Sequence, residues 1–120
     1  MYKRSFNIKS LPPITLENFK KDAWIEYQTN NVTLIKKIDG YYLIKDINKE
    51  LKITKDFFEF LVADKISEVY KTIYDIPLSG NLNIIIEETK DNNLINRIAI
   101  VYFKTLEDAI KFEIPKFFGE

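Results

Sequence analysis

The chain has 120 residues and is 46% hydrophobic, which fits one folded domain and excludes intrinsic disorder. Its 18 basic and 18 acidic residues balance, so no strong overall field favours nucleic acid or an anionic membrane. It contains neither cysteine nor histidine, which excludes disulfides, thiolate and imidazole metal sites, and Ser–His or Cys–His catalysis. No apolar run approaches a membrane span of about 18 residues, and the start of the chain lacks a signal-peptide core. The sequence therefore predicts a cytoplasmic protein with no membrane partner.

Short strands separated by turn residues dominate the sequence. In chain order, the predicted strands cover residues 2–9, 24–28, 32–38, 41–47, 50–53, 68–76, 82–88 and 95–103. The Asp-Gly pair at 39–40 predicts a tight hairpin between the third and fourth strands. Residues 79–81 and 91–93 have turn composition.

Helices are predicted where a capping residue precedes apolar residues at helical spacing. Thr54 is expected to cap a helix from residue 55 to about residue 65, with Asp56 in its first turn. Thr105 and Asp108 have the spacing of a capping box, before a short helix whose predicted apolar face is Leu106, Ala109 and Ile110. A further helical turn capped by Thr15 is expected after the first strand.

Seven or eight antiparallel strands in a chain of this length favour a closed or nearly closed sheet over an open sandwich. We therefore expect an α+β, mainly β, fold: an antiparallel barrel of seven to eight strands with two or three short helices. A single domain covering residues 1–120 is expected.

Residues 70–78, YKTIYDIPL, and 80–84, GNLNI, resemble the sixth and seventh strands of the CYTH domain family. This family comprises the triphosphate tunnel metalloenzymes, and the resemblance runs nearly end to end. Residues 98–103, IAIVYF, match its eighth strand, residues 105–112 the helix that follows, and residues 4–12 its opening strand. The family's usual continuation after Glu120 is missing. The resemblance therefore implies a degenerate, C-terminally short member with the family's tunnel fold.

In that family, alternate strand residues point into an eight-stranded tunnel, where acidic pairs hold a divalent metal and basic pairs hold a triphosphate. The resemblance matches those positions to Met1, Lys3, Ser5, Thr33, Ile35, Lys71, Ile73, Ile85, Glu87, Ile100 and Tyr102. Only Lys71 and Glu87 keep the expected charge type. We therefore expect no catalytic residue, no metal and no cofactor, and we expect the four isoleucines to pack as an apolar barrel core. The alternative is a residual phosphate site formed by Lys3, Lys71 and Glu87.

Basic residues concentrate between residues 36 and 55, around the predicted hairpin. Lysines interleaved with tyrosines suit stacking on single-stranded RNA bases, and the residues concerned are Lys36, Lys37, Tyr41, Tyr42, Lys45, Lys49 and Lys52. The alternative is a solvated hairpin in which nearby acids balance the charge, namely Asp39, Asp46, Glu50 and Asp56.

The leading hypothesis is a non-catalytic CYTH-like binding protein that acts through its surface. A protein is the expected partner, with RNA possible through residues 36–55. One version is a phage-encoded inhibitor of a host nuclease system, by analogy with anti-CRISPR proteins. Two alternatives remain. One is a sensor that binds a triphosphate or nucleotide at Lys3 and Lys71. The other is a divergent triphosphatase or phosphotransferase with a site rebuilt from Glu26, Asp39, Asp75, Glu87 or Glu88.

Overall fold

The computed structural model describes residues 1–8, 16–46 and 49–115. Its strands are β1 (Tyr2–Asn7), β2 (Lys20–Gln28), β3 (Thr33–Lys37), β4 (Gly40–Asp46), β5 (Lys49–Ile53), β6 (Ser67–Pro77), β7 (Asn83–Asp91) and β8 (Leu94–Phe103). The α-helices are α1 (Lys55–Val62) and α2 (Leu106–Lys111), and there are short 3-10 turns at Leu16–Phe19 and Ser79–Asn81. The residue expected to cap the first of these turns, Thr15, lies outside the described residues.

Hydrogen bonds join the strands into one sheet in the order β1-β8-β7-β6-β2-β3-β4-β5. This confirms the prediction of a mainly β, antiparallel fold with eight strands and two helices. Closing a barrel requires the first and last strands of the order to pair. Within the described ranges no hydrogen-bonded pairing joins β1 to β5, so the predicted closure is not shown.

The chain divides into two compact units. Unit 1 comprises Met1–Asp22, Thr72–Thr89 and Ile95–Glu120, and unit 2 comprises Ala23–Lys71 and Lys90–Leu94. Each unit has its own cluster of buried apolar side chains. Among the described residues, no helix is long and apolar enough to span a membrane.

The core of unit 1 is built from alternate residues of neighbouring strands. Its buried members are Leu16, Tyr74, Ile84, Ile86, Ala99, Val101, Phe103 and Ala109. Since successive strand residues point to opposite faces, the members on β7 and β8 all lie on one face of the sheet. Arg4, on β1, donates from Nη1 to the carbonyls of Ala109 and Phe112, at 3.1 and 2.7 Å. These bonds satisfy carbonyls at the end of α2 that have no partner within the helix.

Helix α2 begins as predicted but packs differently. The Asp108 N–H donates to Thr105 Oγ1 at 3.1 Å, which confirms the cap. The predicted apolar face is wrong, because only Ala109 is buried, while Leu106 is 54% and Ile110 70% exposed. A six-residue helix has fewer than two turns, so it turns few side chains toward the core. Phe112, which follows the helix, packs there instead, with its ring centroid 5.3 Å from that of Phe103.

The core of unit 2 consists of Tyr27, Leu34 and Phe58. Helix α1 begins where predicted, since the Phe57 N–H donates to Thr54 Oγ1 at 3.2 Å. It ends at Val62 rather than near residue 65. The Ile66 N–H bonds to the carbonyl of Gln28 at 2.7 Å, so the chain has already left the helix by that point.

The predicted hairpin between β3 and β4 is present, but its turn lies one residue earlier than predicted. Lys37 pairs with Gly40, so the two turn residues are Ile38 and Asp39 rather than the Asp-Gly pair. Between β7 and β8, Asn92 and Asn93 have φ angles of 49° and 72°. A two-residue hairpin turn whose twist matches that of the strands needs a positive φ at both central residues. Asparagine tolerates a positive φ.

Candidate functional site

Within unit 1, the positions matched to the family's tunnel lie on the face of the sheet opposite the core. On β8, Ala99, Val101 and Phe103 point into the core, so Ile100 and Tyr102 point to the other face. Ile100 is 9% exposed, whereas Tyr102 is 48% exposed. We call the face that carries Ile100 and Tyr102 the tunnel face. Along β8, this face changes from a buried apolar residue to an exposed aromatic one.

Strand β1 adds two polar residues to the tunnel face. In the antiparallel register, Ser5 is opposite Ile100 and Lys3 is opposite Tyr102. Side chains of directly opposite residues stand about 5 Å apart at Cβ, so Lys3 flanks the Tyr102 ring. Lys3 is exposed. One cation and one aromatic ring thus stand side by side at this end of the face.

The predicted burial of the four isoleucines is met only in part. Ile100 in unit 1 and Ile35 in unit 2 are buried, at 9% and 5% exposure. Ile73 and Ile85 are only half-buried, and none of the three isoleucines in unit 1 belongs to its core cluster. The expectation of a fully apolar core on this face is therefore wrong at Ile73 and Ile85. The core formed on the other face, to which the turn at Leu16 and helix α2 contribute buried residues.

A groove of about 660 Å³ opens beside the tunnel face within unit 1. We call it the unit 1 groove. Apolar and aromatic groups come from Met1, Leu82, Ile85, Tyr102, Phe103 and Phe112, and polar groups come from Asn81, Asn83, Lys104, Asp108 and Lys111. Sequence reasoning missed this site. Its residues come from segments far apart in the chain, and no local pattern links them.

The carboxylates considered for a rebuilt catalytic site are held apart. Glu87 is exposed on β7, and its neighbour Glu88 points to the opposite face. Glu88 instead binds Arg97, with 2.8 Å between Oε2 and Nε. Asp75 accepts a hydrogen bond from Asn83 at 2.6 Å. The remaining two candidates belong to unit 2: Glu26 and Asp39. In the part of the chain that the structure describes, no three acidic side chains gather in a way that could hold a metal ion.

The three residues of the predicted residual phosphate site do not share one unit. Lys3 and Glu87 belong to unit 1, where both are exposed, and Lys71 is a half-buried residue of unit 2. Within unit 1, a phosphate group could therefore contact only Lys3 of the two expected lysines.

The lysines of the predicted basic surface point to both faces of their hairpin. Lys36 and Lys37 are adjacent on β3, so they lie on opposite faces. Lys37 binds Glu50, with 3.1 Å between Nζ and Oε2, and its Nζ lies 5.2 Å from the Tyr42 ring centroid. Lys49 is paired in register with Asp46. The other two are exposed on β4 and β5: Lys45 and Lys52. Lys37 is thus in an ion pair and Lys49 has an acidic residue opposite it, which favours the solvated-hairpin alternative.

The two tyrosines of that hairpin have different surroundings. Tyr41 packs against the unit 2 core, with its ring centroid 4.6 Å from that of Phe58. Tyr42 faces the other side, where burial first and then the nearby Asp39 raise the pKa of its hydroxyl. The two rings therefore face opposite sides of the hairpin, so they do not form a pair that could stack on successive bases.

The ionisation of Tyr27 is expected to make the stability of unit 2 depend on pH in the alkaline range. Burial, and then the charge and hydrogen bond of Glu68, raise the pKa of Tyr27 to about 12. Lys65 binds the same glutamate, with 3.3 Å between Nζ and Oε1, and lies over the Tyr27 ring. A raised folded-state pKa means that this tyrosine's stabilisation is complete below the unfolded-state pKa of about 10 and is lost as the pH rises through 12.

We therefore expect the free energy of unfolding to fall between about pH 10 and 12, and to fall less steeply in Tyr27→Phe. The pKa values of Tyr42 and Tyr74 are also raised, in both cases first by burial, so part of the dependence remains in the variant. Urea denaturation followed by circular dichroism at a series of pH values measures both slopes. Identical slopes in the two proteins would contradict the assignment to Tyr27.

Comparisons with known proteins bear on the fold alone. No family model matches the chain, and no curated protein matches it. Among solved structures, the crystal structure of the hypothetical protein NE1496 superposes with a TM-score of 0.70 at 19% sequence identity. The match covers 99% of this chain and 86% of that chain. At this identity the two proteins share a fold, and the likeness carries no information on activity.

Proposed function

We propose that this protein is a non-catalytic, CYTH-like binding protein that holds a protein partner in the unit 1 groove. The observation that supports the proposal is the chemistry of the tunnel face. Where the resembled enzymes carry acids for metal, unit 1 carries Met1, Lys3, Ile100 and Tyr102. Magnesium sites need one or two carboxylates beside the phosphates, and Glu87 is the one acid left at the matched positions of unit 1.

The composition of the groove suits a protein segment better than a triphosphate. Met1 and Tyr102 are 87% and 48% exposed, so large apolar surfaces stand open to solvent. Methionine and tyrosine are enriched in protein interfaces, and tyrosine is common among the residues that dominate binding energy. Asn81, Asn83 and Lys104 add hydrogen-bonding groups for a polar rim. A triphosphate would need several cations close together, whereas Lys111 is already paired with Glu107 at 2.7 Å.

More specifically, we propose that the protein is encoded by a mobile element and inhibits a host nuclease system. Its support is that charges at the matched metal and phosphate positions have been replaced while the strand framework is kept. A protein partner is favoured over RNA, because the lysines between residues 36 and 55 are divided between two faces and partly paired.

A titration with magnesium and tripolyphosphate tests the proposal against the sensor and enzyme alternatives. We expect no rise in thermal stability, because the described groove offers no ring of cations. A ligand that binds the folded state would raise stability by about 2.7 kcal/mol at a hundredfold excess over its Kd. A rise of that size, lost in Lys3→Ala, would overturn the proposal in favour of a phosphate site.

Affinity capture from the source cell tests the partner itself. We expect Tyr102→Ala to lose a captured protein that Lys71→Ala/Glu87→Ala retains, since the second variant changes only the vestigial charges. Circular dichroism of both variants controls for folding. If the double variant loses the captured protein and Tyr102→Ala keeps it, the tunnel charges form the site and the unit 1 groove does not.

A further inference from the structure

Strand β5 ends the hydrogen-bonded order, so among the described residues no strand pairs with its outer edge. An exposed edge presents a row of unpaired N–H and C=O groups that can pair with another chain. The five residues of this strand, Lys-Glu-Leu-Lys-Ile, have a charge pattern centred on Leu51. That pattern decides which chain the edge can accept.

We propose that β5 pairs antiparallel with β5 of a second copy of this chain, about a two-fold axis at Leu51. In that register Leu51 is opposite Leu51, and Glu50 is opposite Lys52 of the second copy. The two-fold axis repeats the Glu50–Lys52 pair, so the interface contains two opposite-charge pairs. Edges that carry charges of one sign repel a second copy, but this edge is self-complementary.

The side chains needed for this pairing are available in unit 2. Glu50 and Lys52 alternate along β5, so they lie on one face of the strand, and both are exposed. Glu50 already binds Lys37 at 3.1 Å, but a carboxylate has acceptor sites for a second lysine.

The opposite face of β5 adds apolar surface to the contact. Leu51 is 47% exposed at the centre of the strand, and Ile53 packs against the unit 2 core on the same face. Phe57, at the start of α1, is 46% exposed. Pairing across the axis would bring the two Leu51 side chains together and remove part of this surface from water.

Charge-swapped variants of the full chain test the proposal. We expect wild-type protein to form a dimer in sedimentation equilibrium. Glu50→Lys alone, or Lys52→Glu alone, places like charges opposite each other twice and should weaken the dimer by about tenfold or more. An equimolar mixture of the two variants should form a heterodimer, because each lysine is then opposite a glutamate. The same charges in one chain, Glu50→Lys with Lys52→Glu, should restore the homodimer.

Two controls separate edge pairing from damage to the fold. Thermal melts report whether loss of the Lys37–Glu50 contact unfolds the hairpin, and the heterodimer can form only from folded variants. Lys36→Glu reverses an exposed lysine on β3, which β4 separates from β5 in the same unit, and should leave the dimer unchanged. A wild-type monomer at all concentrations, single variants that dimerise as wild type does, or a mixture that does not form the heterodimer would each overturn the proposal.

Discussion

Replacing Phe58 with alanine is expected to lower the free energy of unfolding by about 3–5 kcal/mol, the range for removing a buried phenylalanine. Phe58 is 5% exposed and is the residue that α1 contributes to the buried core of unit 2. Its ring lies 5.5 Å from the Tyr27 ring and 4.6 Å from the Tyr41 ring, centroid to centroid. Alanine would leave a cavity between two aromatic side chains that cannot both move into it.

Phe60→Ala provides a matched control on the same helix. Phe60 is 74% exposed, so its removal should change the free energy of unfolding by no more than about 0.5 kcal/mol. Urea denaturation of both variants measures the difference. Equal losses would mean that α1 packs with a different face than the structure gives it.

Ile100→Glu, which introduces the charge type of the resembled enzymes, is expected to destabilise the protein by roughly 3 kcal/mol. Ile100 is 9% exposed and lies opposite Ser5 on β1. The new carboxylate would be buried, and no cation is paired with this position in the register. An unpaired charge in such a site loses its hydration without compensation.

Ile73→Arg is the comparison, because it introduces a family charge at a half-buried position of the same unit. A long arginine side chain can extend its charged end to water, so we expect a loss of no more than about 1 kcal/mol. Chemical denaturation of both variants reports the two losses. An Ile100→Glu protein as stable as wild type would mean that water reaches this position, as in an open tunnel.

Local features of the fold could be predicted from the sequence because their causes are local. Thr54 and Thr105 cap helices since each hydroxyl accepts from a backbone N–H three residues later. Asn92 and Asn93 make a tight turn because asparagine tolerates positive φ. Strand positions followed from β-branched and aromatic residues between such turns. All eight predicted strands are present, with boundaries shifted by a few residues.

The face of unit 1 that forms the core could not be predicted. On β7 and β8 the apolar residues are consecutive, as in Ile84, Ile85 and Ile86, so the period of two does not distinguish the faces. The resemblance to an enzyme family predicts an apolar core at the positions that alternate with those of the observed core. Side chains from the turn at Leu16 and from α2 instead cover the face that carries Ile84 and Ile86. This packing buries both residues fully and leaves Ile85, on the opposite face, at the unit 1 groove.

The pairing of charges was also decided by tertiary structure. The sequence by itself shows that basic and acidic residues balance and that histidine and cysteine are absent. The absence of these two residues excludes imidazole and thiolate chemistry. It could not show that Lys37 meets Glu50, thirteen residues away, or that Tyr41 packs on Phe58 while Tyr42 faces the other side. Those contacts depend on strand register. Register is set by hairpin turns and by burial of one face, which act between residues distant in sequence.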